Sequence, residues 1–187
     1  MASKWFAVKL TKDTAPWAFW HGEPFKAVSS LELFGTVLCL MLFTRDNEAT
    51  GKQTVSVTGL TDSMVASLVL GKGLTTSFPM CVIAMEAAAQ MEHQQLDLQL
   101  RWVPRELNTE ADALSNLRFT GFSASNRIEA DLSSLPFLVL PRLIKAAEEI
   151  SNTKSLALVS RSDTGTQRQR PRMKVAPAKR LRVAQPW

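Results

Sequence analysis

The sequence predicts an α/β fold: a mixed sheet with flanking helices, followed by a basic tail. Three observations predict it. Leu96, Leu98, Leu100 and Trp102 alternate with Asp97, Gln99 and Arg101, the period of two expected of a half-buried strand. Gln53–Gly59 carries Thr54, Val55, Val57 and Thr58, which suit a second strand, and helical stretches lie between the two. Finally, the charge is split. Residues 151–187 hold nine Lys/Arg against one acid, whereas residues 1–150 hold thirteen against sixteen. That asymmetry describes a mildly acidic body with a basic interaction tail.

A chain of 187 residues, 45% hydrophobic and 21% charged, is long enough for one domain with a sizeable core. It has no run of about 18 apolar residues, so no membrane-spanning helix is expected. Its first ten residues lack the apolar centre of a secretory signal. Two cysteines, Cys39 and Cys81, in apolar helical contexts read as buried free thiols. With only two histidines, His21 and His93, beside them, a zinc module is not expected.

In chain order, Trp5–Leu10 reads as a short strand and Thr11–Pro16 as a turn. Trp17–Trp20 then reads as a returning strand, which completes a hairpin. Ser29 and Glu32 have the spacing of a capping box and open a helix to about Phe43 that is apolar on most sides, hence buried. Residues 45–52 form a loop. Asp62 follows the strand Gln53–Gly59, at its C-terminal edge, where open α/β sheets place ligands. A helix from Met64 to Leu70 ends at Gly71-Lys72-Gly73. A longer one starts near Pro79, a first-turn residue, and runs to Gln94. Pro104 ends the strand Leu96–Trp102. Asn108 and Thr109 are cap-type residues for a helix that begins Glu110-Ala111-Asp112. Residues 119–134 read as irregular, and residues 141–150 as an amphipathic helix. The organisation expected is a core over 1–118, a helical extension over 119–150 and a basic disordered tail over 151–187.

Three acids stand at chemically useful places: Glu32 in the first helix, Asp62 at a strand end and Asp112 in the first turn of a helix. Each also has a purely structural reading. Glu32 can complete the capping box, Asp62 can cap the helix that follows it, and Asp112 can answer the helix dipole.

The run W-V-P-R-E-L-N-T-E-A-D-A-L-S, from Trp102 to Ser115, with T-D-S at Thr61–Ser63 and S-S-L-E-L at Ser29–Leu33, resembles the ribonuclease H-like domain of retrotransposon reverse transcriptases. The resemblance spans roughly residues 5–117. It implies a ribonuclease H-like sheet and Mg²⁺-dependent (Mn²⁺ also serving) hydrolysis of RNA in an RNA–DNA hybrid. It makes Glu32, Asp62 and Asp112 the catalytic metal ligands. Such two-metal chemistry places ions about 3.5–4 Å apart between carboxylates, which Mg²⁺ prefers as a hard cation. Two departures stand out. The family's first strand bears a further catalytic Asp, and no Asp precedes Asp13 here. The His-bearing loop before the last Asp is replaced by Pro104-Arg105-Glu106-Leu107. The expectation is a domain lacking its first strand and inactive as an isolated chain, with an upstream reverse-transcriptase segment as one possible source of that strand. The other reading, of a different class, is a non-catalytic nucleic-acid-binding or interaction module.

The tail contributes Arg168, Arg170, Arg172, Lys174, Lys179, Arg180 and Arg182, a set suited to phosphate contact or nuclear import. Arg101 and Arg105 are further candidates for a nucleic-acid backbone, and equally solvated charges. The tryptophans Trp5, Trp17, Trp20 and Trp102 read as packing residues.

Overall fold

The computed structural model describes residues 4–20, 22, 27–44 and 54–162, with side chains to 153. Its contacts divide the chain into two units, residues 1–149 and 150–187. Among the described residues the fold is α/β, with α1 (Val28–Phe43), β1 (Val55–Thr61), α2 (Met64–Lys72), α3 (Met80–His93), β2 (Leu96–Trp102), α4 (Thr109–Ser115) and α5 (Leu140–Ser162).

The sheet of the described residues is one parallel pair rather than a mixed sheet. Val55 lies opposite Leu96 and Thr61 opposite Trp102. Val55 N–H donates to the Gln95 carbonyl at 2.9 Å and Val103 N–H to the Thr61 carbonyl at 2.8 Å. Bonding residues alternate along a parallel ladder. Val55, Val57, Gly59 and Thr61 therefore bond toward β2, and the backbone groups of Ser56, Thr58 and Leu60 point to an open edge. The side chains alternate as well: Leu96 is buried and Leu98 and Leu100 half-buried, while Asp97, Gln99 and Arg101 are exposed. A Cβ at Gly59 would stand 3.0 Å from Leu100 Cδ1, so a larger residue there would require that side-chain tip to shift by a few tenths of an ångström.

The expected N-terminal hairpin does not form. Trp5 makes a single bridge to Arg127, with its N–H on the Asn126 carbonyl and its carbonyl receiving Ile128 N–H. The returning run is a 3-10 turn, Pro16–Phe19. Pro16 brings no N–H to a ladder and favours a helical start. Trp17 turns inward instead, edge-on to Phe34 at 5.3 Å.

Helix α1 carries the core. Leu33 and Val37 are fully buried, beside Phe34, Leu38 and Met41. They meet Val82, Ile83 and Ala87 of α3, Ala66 and Val69 of α2, and Leu135, Leu140 and Ile144. Each such side chain is worth about 1.5–3 kcal/mol of transfer free energy. Helix α2 starts at Ser63, whose side-chain oxygen accepts from Ala66 N–H at 3.2 Å, and it ends at Gly73 with φ +64°, the left-handed cap glycine tolerates best. Both cysteines are free, but Cys39 is exposed and Cys81 half-buried, because α1 presents Cys39 on its outer side.

Helix α5 extends to Ser162, so residues 151–162 are helical where a disordered tail was expected. The Leu156-Ala157-Leu158 stretch has the helix-forming composition to continue it. The basic residues from Arg168 to Arg182, like His21, lie outside the described residues.

Candidate functional site

The carboxyl ends of β1 and β2 lie side by side, and the chain leaves each through a different device. After Thr61, Ser63 caps α2. This frees the Asp62 side chain from the capping role open to it. Its Oδ1 accepts from Asn108 Nδ2 at 3.0 Å, and its carbonyl accepts from Trp102 Nε1 at 3.1 Å. Trp102 thus lies half-exposed over the strand end rather than in the core. After β2, Pro104 leads into the 3-10 turn Arg105–Leu107, and Asn108 precedes α4. One asparagine therefore joins the end of β1 to the start of α4.

Asp112 lies in the first turn of α4. Its two oxygens are taken by two arginines: Arg105 Nη2 at 2.6 Å from Oδ1 and Arg118 Nη2 at 2.7 Å from Oδ2. Arg118 reaches back because Leu117 adopts φ +56° and Arg118 N–H bonds the Ala113 carbonyl at 2.8 Å, the reversal that ends many helices. The arginine side chains are 72% and 64% exposed and Asp112 only 23%, so the acid sits under a pair of solvated guanidiniums. Together with Thr109, Leu117 and Phe119 they line an open cleft of about 830 Å³.

The electrostatics follow from these contacts. The Arg105 hydrogen bond, its charge and that of Arg118 hold the Asp112 carboxyl below its ordinary value of 3.8. The same bond and the Asp112 charge raise Arg105, and the charges of Asp62 and Glu32 add to this. A depressed carboxylate contributes what it contributes above its unfolded pKa, and loses it as pH falls through the lowered folded value. The bridge should thus persist through neutral and mildly acidic pH and open only below 3.8. An NMR titration of the Asp112 carboxyl carbon checks this, and Arg118→Gln should move its midpoint upward.

Glu32 is exposed on α1. The helix begins at Val28 with Ala27 as its N-cap and no side-chain cap, so the expected capping box is not made and Glu32 does not serve it. Its charge adds weakly to what raises Arg105. Among the described residues no three His, Cys, Asp or Glu side chains stand so as to hold a metal ion. Asp112 fits Mg²⁺ poorly as folded. Each of its oxygens holds a guanidinium, so an ion there would stand against two positive charges, and Asp62 Oδ1 holds the Asn108 amide.

A second polar system, absent from the sequence reading, runs along α3. Glu86 is fully buried. Its carboxylate accepts the backbone N–H groups of Leu138, Val139 and Leu140 at 2.9, 2.8 and 2.7 Å, and Gln90 Nε2 at 2.8 Å. Gln90 also donates to the Pro136 carbonyl at 3.0 Å and accepts from Gln94 at 3.1 Å. Thr44 Oγ1 closes the row on Gln94. The i, i+4 spacing of Glu86, Gln90 and Gln94 was the available signal, since it puts three polar groups on one face of an otherwise apolar helix.

No family model, curated protein or solved structure matches the chain. Among the described residues no helix is long and apolar enough to cross a membrane.

Proposed function

We propose that the chain is a retroelement-derived ribonuclease H-like domain that holds an RNA–DNA hybrid without cutting it. Its ancestral reaction is Mg²⁺-dependent hydrolysis of the RNA strand, with Asp62 and Asp112 the former ligands and Glu32 the third. The observation that carries this reading is the Asn108 bridge. It joins an aspartate ending one parallel strand to the helix bearing a second aspartate, after the neighbouring strand. The edge of β1 left unpaired among the described residues, with Ser56, Thr58 and Leu60 facing outward, has the hydrogen-bonding capacity to receive a further strand. Exposed Arg101, Arg105 and Arg118 near the strand ends offer guanidiniums to phosphates. The basic residues of the tail, Arg168 to Arg182, add phosphate contacts and an import signal.

Fluorescence anisotropy with a labelled RNA–DNA hybrid in chelator tests the binding. Binding should survive Asp62→Asn and Asp112→Asn. Its logarithm should fall linearly with log salt, by about 0.9 for each phosphate contacted, and more gently once residues 163–187 are removed. Binding that needs Mg²⁺, or no binding at low salt, would overturn the reading.

A further inference from the structure

We propose that the guanidinium of Arg105, backed by Arg118, is the resident counter-cation of Asp112 at the start of α4, so that the chain's own charge closes this carboxylate to divalent metal. The inference rests on reading Asp62 and Asp112 as former metal ligands, and it explains why Asp112 fits an ion poorly now.

The geometry is specific. Arg105 approaches Asp112 Oδ1 to 2.6 Å and Arg118 approaches Oδ2 to 2.7 Å, so an incoming ion would share whichever oxygen it takes with a guanidinium already bound there. Both arginines come from short, fixed segments. Arg105 stands in the 3-10 turn directly after Pro104, and Arg118 directly after the left-handed Leu117. Their side chains are largely exposed, so packing does not require them there. Exposed ion pairs of this kind add little to stability, about 0–1 kcal/mol. Their larger consequence is local: two fixed positive charges on one carboxylate repel a third cation. The charges of Asp62 and Glu32 add more weakly to what raises Arg105, after the hydrogen bond and charge of Asp112. A guanidinium cannot be deprotonated at physiological pH, so the closure is permanent rather than switched.

The test is Mn²⁺ capture by the full chain, read from the free-ion electron paramagnetic resonance signal. The wild-type chain and an Arg105→Lys/Arg118→Lys variant should leave millimolar-range Mn²⁺ free. Arg105→Gln/Arg118→Gln should bind one ion with affinity raised about tenfold or more, the scale on which one removed neighbouring charge acts. Adding Asp112→Asn to it should return the affinity to the wild-type level. A folded double Gln variant with no gain overturns the proposal. So does wild-type protein whose amide resonances around Asp112 broaden in Mn²⁺. Single Arg105→Gln, one exposed change, stands in should the double variant fail to fold: a gain of Mn²⁺ affinity supports the proposal and no gain overturns it. Hybrid binding is scored separately on the same proteins. Its loss in wild type counts against the ribonuclease H-like reading, whereas Mn²⁺ capture counts for or against the Arg105 closure.

Discussion

Glu86→Ala should destabilise the fold by about 3–5 kcal/mol, because three backbone N–H groups and one amide lose their acceptor in a buried place, and each unsatisfied donor costs about 1–3 kcal/mol. The donors of Leu138, Val139 and Leu140 open α5, where a helix start leaves N–H groups without intrahelical partners. Glu86→Gln should recover little of the loss. Its amide nitrogen would face N–H donors where an oxygen now accepts. Urea unfolding measures the cost, and hydrogen exchange at residues 138–140 locates it. Unchanged exchange there in a destabilised variant would contradict the role given to Glu86.

Leu33→Ala should cost about 2–5 kcal/mol, the range for emptying a buried leucine site. Leu33 is fully buried in α1 and belongs to the same core as Phe34, Val37 and Ile83. Several elements share that core, so its walls cannot collapse without moving a helix. Loss of cooperative thermal unfolding, or a midpoint lowered by many degrees, is the expected result. A shift of only a degree or two would mean that α1 is not the central element.

What the sequence made legible follows from periodicity. The alternation of Leu96 to Trp102 and the apolar run from Leu31 to Phe43 each stated one face or one buried body, and β2 and α1 lie there. The hairpin failed because a run such as Trp17–Trp20 carries hydrophobicity without alternation. A strand and a turn around Pro16 have the same composition, and tertiary packing of Trp17 against Phe34 decided between them. The acids were legible as positions and not as partners. Ser63 rather than Asp62 caps α2, and this depended on one rotamer. Arg105 is legible in the sequence as a nucleic-acid contact or a solvated charge, and neither its pairing nor that of Arg118 with Asp112 is. The return of Arg118 to Asp112 depends on the left-handed turn at Leu117, for which a leucine gives no warning. Glu86 was hidden for a related reason. Its ligands are backbone N–H groups some fifty residues away, and backbone groups leave no mark in a sequence.

Hydrolysis of an end-labelled RNA–DNA hybrid by the purified, folded chain in Mg²⁺ or Mn²⁺, beside Asp62→Asn, separates holding a hybrid from cutting it. Both proteins should leave the RNA intact while the hybrid stays bound. Metal-dependent cleavage by the wild-type chain that disappears in Asp62→Asn would contradict this expectation and make the three acids a working nuclease centre.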